Sequence, residues 1–205
     1  MSARDDILAR IRKNQPAPTA LAPIPRFAAE ATVERFTAGV ERMGGRVVVA
    51  PESAGLEALV RALHPEARVF CSATREVKGD RKADPRRPAA LEDVDVGVVR
   101  AAFGVAETGS VWLSEREFGI NALGFLSQHL VVLLDPQAIV PNLHHAYRHR
   151  GFFDARYAVL MTGPSATADI EGVLVRGAQG IRTLTVIPVP ALPSTTLSFK
   201  EGRTP

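Results

Sequence analysis

Three short stretches of the chain hold side chains that could do chemistry. The first is Ala106-Glu107-Thr108-Gly109-Ser110, flanked by apolar runs of strand character. A carboxylate where an apolar strand ends is exposed at the mouth of a sheet, where Glu107 could act as base, nucleophile or metal ligand. The plainer reading is a polar hairpin turn in which Thr108-Gly109 reverses the chain. The second is TGPSAT at 162–167, ahead of a stretch at 168–176 whose Ile170, Val173 and Leu174 have helical spacing. Gly163 permits close backbone approach, Ser165 and Thr167 supply hydroxyls, and the free amides opening the expected helix suit an anion. Simple capping is the competing reading, because Ser, Thr and Asp are preferred at any helix start. Asp169 would also compete with an incoming anion for the positive end of the dipole. The loop is neither a Walker A motif nor a GxGxxG fingerprint, so neither ATP nor NAD follows from it.

The third stretch carries His144, His145 and His149. His145 and His149 are four apart, so on a helix they would share a face and could share a metal. Ala146 stands where a HExxH metalloprotease motif needs glutamate, and Arg148 and Arg150 oppose a cation. An exposed basic face or an anion-binding face fits the same residues, and no metal is expected. His129, alone before the apolar run LVVLL, reads as a partly buried histidine with its own partner. Cys71, the one cysteine, ends an apolar stretch and reads as inert core. One cysteine permits no intramolecular disulfide, and this chain alone cannot build a four-cysteine zinc or iron–sulfur site. Trp112 and the phenylalanines at 118, 125, 152 and 153 read as core or interface.

The elements that must position these groups follow from periodicity. Residues 5–13 carry Ile7, Leu8 and Ile11, a narrow apolar helical stripe. A proline-rich stretch (Pro16, Pro18, Pro23, Pro25) then forms an extended linker. The helix therefore stands off as an arm whose stripe a second copy of the chain could cover. A helix over 27–43 ends at Gly44-Gly45, and 46–50 is a strand. A helix over 53–63 has Ser53 as N-cap. A strand over 68–71 completes a parallel strand–helix–strand unit. Residues 72–93 show no period, and a loop that long is functional or mobile. Strands are expected over 94–105 and 111–113, joined by the Glu107–Gly109 turn, and over 130–134, 157–162 and 182–189. A helix is expected over 141–150, with Pro141 in its first turn. The expected organisation is an arm and linker at 1–25, one α/β domain at 26–190 and a loose tail at 191–205.

With 205 residues, 46% hydrophobic and 23% charged, the composition is that of a globular chain. The net charge of +3 is concentrated in 75–87, which hold six basic and three acidic residues. That is a solvated loop or an anion or partner contact. It is not the spread basic face of a nucleic-acid binder. The most apolar stretch, 122–134, falls short of the roughly 20 residues a membrane span needs. The charged start MSARDDILARIRKN lacks the apolar core of a secretory signal. Cytoplasm is the expected location.

Together, AETGS, QHLVVLLDPQAIVPNL and GPSATADIEGVLVRGAQG resemble, in order and spacing, the lactate-utilisation protein C family of LUD domain proteins. The likeness runs from Val94 to Val189 and is weaker over 1–93. Gln179 stands where the family pattern has histidine, so no role of that histidine is carried over. The resemblance implies a mixed, largely parallel open α/β sheet flanked by helices, similar to the sugar-isomerase and CoA-transferase-like fold. It also implies a role in oxidising L-lactate to pyruvate with partner subunits that carry the iron–sulfur clusters, none being bound by this chain. Two functions are carried forward. One is a non-redox accessory subunit of such a complex. The other is a free-standing CoA-transferase-like or sugar-phosphate-isomerase-like enzyme. Its site would take Glu107 as the reactive group and bind a small anionic metabolite with Thr108, Gly109, Gly163, Pro164, Ser165, Thr167 and Asp169. A carboxylate sensor without turnover is a third possibility.

Overall fold

The computed structural model describes residues 2–17, 19–20, 22–23, 27, 29–51, 55–82, 84, 86–168 and 172–191. Helix α1 (Ala3–Lys13) opens with a reciprocal Ser2–Asp5 capping box, and none of its residues is buried. Helix α2 (Val33–Arg42) starts later than its periodicity suggests, because Thr32 caps it by accepting from the Arg35 amide. Strand β1 (Arg46–Val47) follows, then α3 (Leu56–Leu63) and β2 (Phe70–Ser72). The expected N-cap, Ser53, lies outside the described residues, as does the tail from 192 onward. The long apolar run divides into β3 (Val96–Arg100) and β4 (Phe103–Val105). Next come β5 (Ser110–Ser114) and two short helices, α4 (Glu115–Phe118) and α5 (Leu123–Leu126). Strands β6 (His129–Leu134) and β7 (Ile139–Val140) precede helices α6 (Leu143–Ala146) and α7 (Gly151–Asp154). The remainder comprises β8 (Ala158–Met161), β9 (Ala166–Thr167), β10 (Val175–Arg176) and β11 (Thr183–Pro188).

The main sheet has five strands in the order β1-β11-β6-β3-β2, all parallel. The strand–helix–strand unit β1-α3-β2 is parallel as expected, but its strands lie at opposite edges. Alternate residues divide the sheet's faces. Val96, Val98, Val131, Leu133 and Ile187 pack beneath α3, around Val60. Val99, Leu130, Val132, Leu184 and Val186 pack with Phe36 and Val40 of α2. Each such fully buried side chain contributes roughly 1.5–3 kcal/mol.

The second sheet, β7-β4-β5-β8, is mixed. One of its faces, with Val111, Leu113 and Met161, joins the core under α2. The other buries Phe103 and Trp112 with Ala146 of α6. Ala101 and Ala102 carry the chain from one sheet to the other, so a run that reads as one strand becomes two.

Two expected helices do not extend as their sequence spacing suggests. Residues 172–176 do not continue a helix: β9 and β10 pair antiparallel, Thr167 opposite Val175 and Ala166 opposite Arg176. Gly172 and Gly177 both adopt positive φ, leaving four residues between them, too few for a stable helix and including β-branched Val173 and Val175. Val173 and Leu174, expected to be buried, are 61% and 57% exposed. Of the helix expected over 141–150 only the single turn of α6 forms, and α7 begins beyond it at Gly151. Asn142 caps α6, and Arg148 and His149 then donate to carbonyls three residues back, as in a turn. The loop 72–93 is pinned by the buried side chains of Val77 and Leu91, the Arg81–Asp93 ion pair, and an Asp80 carboxylate that accepts from the Phe70 amide.

Candidate functional site

The AETGS turn joins β4 to β5 as a hairpin. The structure brings it to the TGPS turn through hydroxyls: Thr108 Oγ1 lies 2.6 Å from Ser110 Oγ, which lies 2.6 Å from Thr162 Oγ1. Both turns are pressed against α2. A Cβ on Gly109 (φ 69°) would sit 2.1 Å from the Val40 amide nitrogen, and one on Gly163 (φ 71°) would sit 2.2 Å from the Met43 carbonyl oxygen. The close approach that these glycines allow is therefore to the helix. Pro164 is buried beside them.

Glu107 is exposed, and its Oε2 accepts from the Leu143 amide of α6, 3.1 Å away. The Ser165 backbone closes the base of the β9–β10 arm: its amide donates to Ile181 O and its carbonyl accepts from Gly177 N. Thr167 lies on β9, and Asp169 lies outside the described residues. No helix runs through 172–176, and residues 169–171, where the amides of the expected helix would lie, are outside the described residues.

The three histidines diverge. His144 meets the Phe27 ring edge-on, His145 Nδ1 bonds Asn142 Oδ1 at 2.7 Å, and His149 lies against Phe103. They share no helix face. Cys71 is fully buried, and burial pushes its thiol pKa up, away from reactivity.

Two further constellations sit at the ends of the parallel sheet. At the amino end, His64 and His129 stack with ring centroids 4.6 Å apart, and His129 Nδ1 bonds Thr183 Oγ1 at 2.8 Å. Burial, the His129 charge and Arg46 bring the His64 pKa down to about 4. Burial, Arg182 and Arg46 lower that of His129. At the carboxyl end, Arg100 closes β3. Its Nε donates to Glu76 Oε1 (2.6 Å) and its Nη1 to the Val189 carbonyl (3.1 Å). Open parallel sheets bind ligands at this end.

The sequence profile of the LUD domain matches residues 74–189, more than half of the chain. The chain belongs to the LUD domain family. Over 152 residues it is 28% identical to lactate utilization protein C of Geobacillus kaustophilus (strain HTA426), and 28% identical to that of Geobacillus thermodenitrificans (strain NG80-2). Each match covers 69% of this chain and 61% of the relative, so the chain spans about three-fifths of the length of these relatives. A crystal structure of a DUF162 family protein from Deinococcus radiodurans superposes with a TM-score of 0.57 at 18% identity, over 76% of this chain and 94% of that one. That likeness establishes the α/β fold.

In this LUD domain the best-marked sequence blocks hold the hairpin, α2 and the arm together, and Glu107 supports α6. Arg100 was missing from the candidate residues read in the sequence. Its signal was the one that singled out Glu107, a charge ending an apolar strand. Among the described residues no helix is long and apolar enough to cross a membrane.

Proposed function

We propose that this LUD protein is a lactate-utilisation protein C-like accessory subunit. It takes part in the cytoplasmic oxidation of L-lactate to pyruvate alongside partner subunits that hold the iron–sulfur clusters. The observation that carries this reading is the family match across residues 74–189, together with relatives named lactate utilization protein C. The chain's own chemistry supports it. Electron transfer through a cluster needs several cysteine thiolates, whereas this chain has one cysteine, buried in β2 with a raised thiol pKa. The cluster-bearing chemistry is assigned to partners for that reason.

The test is an affinity pull-down of the tagged chain from its own host grown on L-lactate, with mass spectrometry and visible absorbance of the eluate. A stoichiometric, coloured, cysteine-rich companion is the expected result, and the isolated chain should reduce no dye with L-lactate. Recovery of the chain alone under gentle conditions, or lactate-dependent dye reduction by the isolated chain, overturns the reading.

A further inference from the structure

A cavity of about 310 Å³ opens at the amino end of the main sheet. It lies between the turn from α2 to β1, the end of α3 and the first residues of β6 and β11. Gly44, Arg46, His64, His129 and Thr183 line it, and among the described residues no carboxylate does. Its size is at the lower end of small-molecule sites. A neighbouring cavity of about 360 Å³ shares the two histidines but sets Glu66 and Asp95 against Arg182, so its charges offset one another.

Two exposed guanidinium groups meet at this turn, neither within ion-pair distance of a carboxylate among the described residues. Arg46 donates through Nε to Thr185 Oγ1 at 2.8 Å, and its two Nη groups remain for a ligand. Arg176 of β10 lies over Gly44: a Cβ there would be 3.0 Å from the guanidinium carbon and 3.1 Å from each Nη atom. Basic side chains near helix C-termini often serve only to offset the dipole, and α2 and α3 both end here. The last carbonyls of α2 are taken by backbone amides instead: Met43 donates to Gly39, Gly45 to Val40 and Gly44 to Glu41. The field at the rings is positive. Burial, Arg182 and Arg46 hold His129 neutral, with Asp95 the smallest, opposing influence, and burial, His129 and Arg46 do the same to His64.

Two unpaired guanidinium groups carry more charge than one carboxylate would neutralise. A phosphate group matches both the charge and the forked donors. We propose that the cavity at the amino end of the main sheet binds a phosphate group, held between Arg46 and Arg176 with His129 as a further donor. His129 Nδ1 is already bonded to Thr183 Oγ1, so Nε2 is the nitrogen that remains for the ligand. Substrates of open parallel sheets bind at the opposite end. This ligand is therefore an effector: it ties the β9–β10 arm, through Arg176, to β1 of the sheet. The site does not rest on the subunit reading.

The chain has five histidines, so their ring resonances report on the site with the other three as internal controls. The full chain is titrated with inorganic phosphate, glycerol 3-phosphate and sodium L-lactate at constant pH and ionic strength. The His64 and His129 resonances should shift saturably with at least one of the two phosphates, while those of His144, His145 and His149 stay in place. Arg46→Ala and Arg176→Ala should each weaken binding about tenfold, with Arg46→Lys in between. Both positions are exposed, so the variants should fold. Arg150→Ala, whose side chain is 92% exposed on α7, should bind as wild type. Tighter binding of glycerol 3-phosphate assigns the site to a phosphorylated metabolite, and equal or weaker binding assigns it to free phosphate. Overturning results are no saturable shift with either phosphate, a shift indifferent to both arginine substitutions, or tighter binding of L-lactate.

Discussion

At the residue scale, the groups that look most reactive in this LUD domain are bound to its own backbone. Glu107 is the clearest case, because its carboxylate oxygen holds the Leu143 amide at the start of α6. Glu107→Ala should cost about 1 kcal/mol of stability, as loss of a capping acceptor does. Glu107→Gln keeps an acceptor and should cost less than half of that. Urea denaturation of the two variants checks the order, and equal losses would mean that the bond contributes nothing. Gly109 is constrained twice over, by its φ of 69° and by the Val40 amide 2.1 Å from any added Cβ. Gly109→Ala should therefore lose at least about 3 kcal/mol, since α2 must move or the hairpin must open. A thermal melt within a few degrees of wild type would refute that.

At the scale of elements, α1 and α2 contrast. Both are capped, but α2 buries Phe36, Gly39 and Val40 while α1 buries nothing and leaves Ile7 and Ile11 59% and 53% exposed. Isolated helices of this length are marginal in water, and packing on the rest of the chain normally makes up the difference. Deleting residues 1–17 should leave the thermal midpoint of the remainder within about 2 °C. Sedimentation before and after the deletion reports whether the stripe joins copies of the chain. The elements also show which local signals were sound. The AETG hairpin and the apolar strands were legible because alternation and turn chemistry act over a few residues. The course of residues 172–176 was not, because Gly172 and Gly177 take positive φ and β10 pairs with β9 there.

At the scale of the whole molecule, the two ends of the parallel sheet differ in charge chemistry. The amino end holds His64 and His129 as neutral, stacked rings, flanked by Arg46 and Arg182, with Asp95 accepting from the Arg68 and Val69 amides. Unfolded, His64 gains a proton near its ordinary value of 6.5, but folded only near about 4. Between those values the unfolded chain carries the extra proton. Stability therefore falls as pH drops from 6.5 towards about 4, and is insensitive to His64 above that window. His129 is shifted in the same direction and adds to the slope. The lowered carboxylates Asp80 and Asp95 lose their contribution only below the ordinary aspartate value of 3.8. Urea midpoints at several pH values between 7 and 4 check this, and a flat profile would contradict the neutral stacked pair.

The sequence alone determined the α/β class, most strands, the AETG hairpin, the family blocks and the lack of cysteine for a cluster. Each depends on composition, or on order within a few residues. Only the tertiary structure decided that the 94–105 run serves two sheets and that Gly109 and Gly163 face α2. It also decided that the three histidines part, and that Arg100 at the end of β3 meets Glu76 and the Val189 carbonyl. The physical reason is common to all of these. Whether a donor finds an acceptor, or a backbone finds room, depends on groups brought together by sheet pairing and packing, and no local pattern of residues records that meeting.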